Sequence, residues 1–275
     1  MANKFKIPES NKIIIGNISI HYLTWEGDEP TIILLHPNRT NSRVWDFVIN
    51  ESSLNNKYIA WDARGHGLSD YPKSGYLIND YIQDLEEFCN KLSLKEIVLV
   101  GAATGGNIGI LFASKFHDMV KALIVADPGL SLDKKISSNV QQEIISSFEF
   151  DSLEIARNSM PFSDLWSDEM KHHYSKYSFK LMKNKKYQWL YYPPGVRTTE
   201  SQLEIDIWDQ IDIKCPTLIL RGQNSDVFPQ KNSRKLAEII DCSYETTIKG
   251  CNHRISQDQP KKMAYEIDSF LKKIL

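Results

Sequence analysis

The sequence predicts an α/β protein: a mostly parallel, twisted sheet flanked by helices and interrupted once by a helical insertion. Three observations carry this. Short continuous apolar runs recur along the chain, as expected of strands buried on both faces of a parallel sheet. Amphipathic stretches at helical spacing separate them. The alternation stops near Leu130 and resumes near Asp206.

Taken in order, residues 13–15 and 18–23 flank Gly16-Asn17, a pair that suits a hairpin turn. Residues 31–35, 57–61, 96–100, 121–126 and 217–220 read as buried strands. Between them, Tyr81, Leu85, Phe88 and Leu92 fall at three- and four-residue spacing, as do Ile108, Leu111 and Phe112. Residues 260–275 read as a closing helix with Met263, Ile267, Phe270 and Leu271 inward. The interval 130–205 shows no clear strand, places Val140, Ile144, Ile145 and Phe148 on one helical face, and is rich in aromatic residues. It reads as a helical insertion covering a core formed by 1–129 and 206–275.

Composition limits the function classes. With 41% hydrophobic and 25% charged residues among 275, the chain is globular rather than fibrous or disordered. A formal charge of −2 gives no reason to expect nucleic acid or an anionic membrane as a partner. No apolar run approaches the ~20 residues of a membrane helix. The stretch from Met1 to Pro8 lacks the apolar region of a signal peptide, so a cytoplasmic location is expected. Cys89, Cys215, Cys242 and Cys251 form no paired spacing, which favours thiols over a disulfide framework or zinc site. The expected partner is a small-molecule substrate, and the expected state a monomer or homodimer.

Four features carry chemistry. The run from Leu34 to Trp45 is a strand followed by a polar loop that presents backbone N–H groups and the Asn38 side chain. Trp61-Asp62-Ala63-Arg64-Gly65-His66-Gly67 reads as a tight, hydrogen-bonded scaffold loop. Val100-Gly101-Ala102-Ala103-Thr104-Gly105-Gly106 runs from a strand into a helix, with small residues that permit a sharp turn exposing position 103. Backbone N–H groups at the start of that helix can stabilise an oxyanion, but alanine at the apex cannot attack. Finally, Asp226 and His253 lie on successive loops, where an acid can orient an imidazole that serves as base.

In this order the features resemble the α/β-hydrolase superfamily, over nearly the whole chain. The resemblance implies that Ala103 occupies the nucleophile position, Asp226 the acid and His253 the base. It places the oxyanion donors at Pro37 or Asn38 and at Thr104, and makes 130–205 a cap. The segment from His36 to Trp45 is most similar to the haloalkane-dehalogenase and epoxide-hydrolase branch, whose nucleophile is aspartate. Such a protein is a hydrolase of a small, largely apolar ester, lactone or carbon–carbon substrate and needs no metal or organic cofactor.

Ala103 leaves other readings open: an alanine introduced to trap substrate, a ligand-binding relative without catalysis, or a cofactor-free enzyme whose His253–Asp226 pair abstracts a proton. Phe162, Trp166, Trp189 and Tyr192 are expected to line the substrate cleft.

Overall fold

A computed structural model describes residues 5–135, 148–161 and 163–275. Its frame is an eight-stranded sheet in the order β1-β2-β4-β3-β5-β6-β10-β11. The strands are β1 (Glu9–Ile15), β2 (Ile18–Trp25), β3 (Asp28–Leu35), β4 (Asn56–Trp61), β5 (Ile97–Ala102), β6 (Val120–Ala126), β10 (Thr217–Gly222) and β11 (Ser243–Ile248). β2 pairs antiparallel with β1 and β4, and every other pairing is parallel. The expected hairpin at Gly16-Asn17 is present, with Ile15 opposite Ile18.

The strands read as continuous apolar runs because both faces are covered. Ile33, Leu35 and Leu99 pack with Phe88 and Phe112 on one face, where α2 (Ile78–Lys91) and α3 (Thr104–Lys115) lie. Ile32, Leu34, Val98 and Val100 pack with Trp45, Met263, Ile267 and Leu271 on the other. The last three residues belong to the closing helix, Pro260–Ile274, on the face the sequence assigned inward.

Between β6 and β10 the chain departs from the sheet. The structure differs here from the all-helical expectation. β7 (Glu149–Phe150), β8 (Phe179–Leu181) and β9 (Tyr187–Trp189) form a small antiparallel sheet in the order β7-β9-β8. Phe150, Phe179 and Trp189 bind it together, with the last two rings 4.2 Å apart. Three helices accompany it among the described residues: Leu153–Asn158, Asp168–Ser178 and Pro193–Gln202. The helical face expected at Val140, Ile144 and Ile145 lies outside the described residues.

The loop read as scaffold is one. Buried Asp62 accepts the Ser42 N–H at 2.7 Å on one oxygen, and on the other meets His21 Nδ1 at 2.7 Å and the Leu68 N–H at 2.8 Å. Burial pushes its carboxyl upward, but the His21 hydrogen bond and charge, the His36 charge and the Leu68 N–H outweigh burial and hold it below the ordinary range. A depressed folded-state pKa contributes stability above the ordinary carboxylate range, and this is lost as the pH falls through the folded value. Asp62→Asn is therefore expected to cost about 3 kcal/mol at neutral pH, with the difference from the unmodified chain narrowing in acid. Urea unfolding across pH checks it.

Candidate active site

The parallel strands end on one edge, and the chain reverses its winding direction at β3, which lies between β4 and β5. Loops leaving strand ends at such a reversal form a crevice. Here they deliver Pro37 and Asn38 after β3, Ala103 after β5, Asp127 after β6 and His253 after β11.

Ala103 sits at φ +49°, ψ −118°, a left-handed conformation that costs an alanine on the order of 1–3 kcal/mol. Its N–H is held by the Ala126 carbonyl at 2.9 Å, and its own carbonyl accepts from Gly106 at 2.8 Å. The sharp return into α3 requires glycine on both sides. A Cβ on Gly105 would lie deep inside contact distance of the Leu35 carbonyl, and one on Gly101 would collide with the Gly105 carbonyl. Gly105→Ala is expected to destabilise the fold by at least ~1–3 kcal/mol, read as a lowered urea midpoint.

His253 pairs with a different carboxylate from the one the sequence suggested. His253 Nδ1 lies 2.8 Å from Asp127 Oδ2, whereas Asp226 is exposed in the turn beyond β10. The reason is strand order. β6 lies between β5 and β10, so the residue that leaves β6 points into the crevice beside the elbow. Asp127 is fully buried. Its other oxygen accepts the Gly222 N–H at 2.8 Å, and the Ser225 hydroxyl donates to Oδ2. Its own N–H is fixed to Leu220 at 2.8 Å. These bonds aim the carboxylate, and its contact with Nδ1 leaves the lone pair of Nε2 facing the cavity.

Pro37 carries no N–H, so a backbone donor from the β3 loop falls to Asn38. Among the described residues, no acceptor takes the N–H of Asn38 or of Thr104, the first residue of α3. The Asn38 side-chain amide meets His66 Nε2 at 2.9 Å, the Val196 carbonyl at 3.3 Å and Glu200 Oε1 at 2.8 Å. His36 and His66 are held in structural contacts. His36 Nε2 receives the Ala63 N–H at 3.0 Å, and burial, aided by the His36 charge, pushes His66 down to about 3.

Above these groups lies a cavity of about 420 Å³, lined on its floor by Ala103, Thr104 and His253. Trp166 and Trp189 line it, with the Trp166 Nε1–H anchored on Asp258 at 2.9 Å. Tyr192 does not line it. Its N–H is tied to Gly65 and its ring packs on Tyr76 at 5.6 Å, while the preceding Tyr191 faces the cavity. Phe162 lies outside the described residues. The cavity is also more polar than the sequence suggests: Arg39, Thr40, Glu200, Arg254 and Gln257 contribute to its wall. Among the described residues, no group of three or more His, Cys, Asp or Glu converges as metal ligands. No described helix is long and apolar enough to cross a membrane.

A family model for the alpha/beta hydrolase fold matches residues 30–260. A 2-(acetamidomethylene)succinate hydrolase from Mesorhizobium japonicum is 32% identical over 118 residues, which span 43% of this chain and only 42% of that relative. Epoxide hydrolase 3 from Xenopus tropicalis is 26% identical over 278 residues, spanning 94% of this chain and 76% of the relative. The crystal structure of E-2-(acetamidomethylene)succinate hydrolase superposes with a TM-score of 0.87 at 21% identity, covering 96% of this chain and 99% of that one.

Proposed function

We propose, from the premise that this chain belongs to the α/β hydrolase fold family, that it hydrolyses a small carbonyl substrate by general-base catalysis. The substrate class is an ester, a lactone or a carbon–carbon bond activated by a neighbouring carbonyl. The observation that carries this is the His253–Asp127 pair beside an elbow that retains its geometry but bears alanine. The 2-(acetamidomethylene)succinate hydrolase and the epoxide hydrolase among the relatives support hydrolytic chemistry in general.

In this reading His253 Nε2 takes a proton from water as the water oxygen attacks the substrate carbonyl, and Asp127 stabilises the imidazolium that forms. The N–H groups of Asn38 and Thr104 hold the oxyanion. Of the described residues in the proposed cap, 130–205, Trp166, Trp189, Tyr191 and Glu200 supply its share of the wall, while Arg39, Thr40, Arg254 and Gln257 come from the core. The polar residues of that wall favour a substrate with a polar end over a wholly apolar one.

The test is mass spectrometry of the intact protein during turnover of 4-nitrophenyl acetate. The expected result is continuing acetate release with no acetylated protein, whereas acetylated Ala103→Ser accumulates. Acetylation of the unmodified chain during turnover would overturn water attack.

A further inference from the structure

Glu200 is a carboxyl that the hydrolytic reading so far leaves unused. It sits on the helix Pro193–Gln202, with only 6% of its surface exposed, and is part of the wall of the cavity whose floor holds Ala103 and His253. The helix is anchored one residue earlier, where Thr199 Oγ1 and the Tyr81 hydroxyl lie 2.9 Å apart. Glu200 and His253 line the same cavity.

We propose that Glu200 is the general acid of this site, delivering a proton to the leaving oxygen of a substrate held between it and the His253 base. This rests on the general-base reading above. When His253 draws a proton from water, the hydroxide oxygen bonds to the carbonyl carbon and the carbonyl electron pair moves onto oxygen. On collapse the carbon–oxygen bond to the leaving group breaks, its electron pair stays on the leaving oxygen, and the Glu200 proton joins it. The released products are an acid and an alcohol. The His253 proton then passes through water to the Glu200 carboxylate, restoring both groups.

Hydrogen-bond geometry supports a proton on Glu200. The Arg64 carbonyl, which can only accept, lies 3.0 Å from His66 Nδ1, and the Arg39 N–H, which can only donate, lies 3.3 Å from His66 Nε2. Together they select the ring form with hydrogen on Nδ1 and a lone pair on Nε2. The Asn38 amide, 2.9 Å from Nε2, satisfies that lone pair by turning its NH2 toward the ring. Its oxygen then faces Glu200 across 2.8 Å, a contact that a carboxylic O–H completes, at the expense of the looser 3.3 Å approach to the Val196 carbonyl. Burial also pushes the Glu200 carboxyl upward, opposed by the Arg39 and His253 charges. Paired titratable groups whose environments favour opposite protonation states are the arrangement that acid–base chemistry uses.

The test compares 4-nitrophenyl acetate, whose leaving group needs no proton, with methyl acetate, whose leaving group does. Both are run with the unmodified chain and with Glu200→Gln, which keeps the shape and the amide contact. Glu200→Gln is expected to slow methyl acetate by about 10²-fold or more and to change 4-nitrophenyl acetate less than about threefold. It should also remove the alkaline fall in the methyl acetate rate, since that rate depends on the protonated acid. Equal effects on both esters, or none, would overturn the proposal. The same pair is run in an Ala103→Ser background. If only that background turns over, water attack fails while the leaving-group contrast still decides Glu200. Absence of turnover in both backgrounds overturns both.

Discussion

Ala103→Ser is expected to raise hydrolysis of 4-nitrophenyl acetate by at least ~10²-fold, toward a ceiling of about 10⁶ set by what a complete triad loses with its serine. The expectation is large because nothing else at the elbow has to change. The backbone of residue 103 already has the left-handed conformation, its N–H and C=O are already bonded, and its side chain opens into the cavity that His253 shares. The substitution adds one oxygen to a space of about 420 Å³. Initial rates with a burst of nitrophenol would report the acyl-enzyme step. No gain, with circular dichroism showing an unchanged fold, would mean that His253 and position 103 are not aligned for proton transfer.

The second large effect concerns the acid. Asp127→Asn in the Ala103→Ser background is expected to lower the hydrolytic rate by about 10⁴-fold, as loss of the orienting carboxylate does in triads of this kind. With its single oxygen kept for the Gly222 N–H, the amide presents NH2 to Nδ1, which stabilises the wrong tautomer and withholds the charge that supports imidazolium. Asp226→Asn, on an exposed turn, is expected to leave the rate unchanged. The reverse ranking would restore Asp226 to the role the sequence suggested.

These two aspartates show where sequence reading stopped. Each follows an apolar strand directly or within a few residues, and nothing local distinguishes them. The difference is spatial: β6 runs beside β5, so Asp127 emerges next to the elbow, a relation fixed by pairings such as Ala102 opposite Ala126. Parallel strands such as β3, β5, β6 and β10 were legible because burial on both faces leaves a continuous apolar run. β11 was not, since Ser243–Ile248 is an edge strand with one buried residue in six and an apolar count too low to signal. The small sheet between β6 and β10 escaped for another reason. Its strands are two or three residues long, shorter than any periodicity can register, and are held by ring packing among Phe150, Phe179 and Trp189.

The elbow, by contrast, was readable from Gly101 and Gly105, because only glycine fits where backbone approaches backbone so closely. Which aromatic residue of the Tyr191-Tyr192 pair faces the cavity was set by the Tyr192 N–H bond to Gly65, a contact across 127 positions that no local pattern encodes. Glu200 gave no signal at all in sequence: an isolated carboxyl on a polar helix becomes notable only once folding buries it opposite His253.

The proposed base is His253, held by Asp127. The most direct measurement is the steady-state rate of 4-nitrophenyl acetate hydrolysis by the unmodified chain beside its His253→Ala variant, with both confirmed folded. A fall of at least ~10²-fold on losing the imidazole is predicted. Equal rates in the two proteins would remove His253 from the role of base and leave the cavity as a site that binds without turning over.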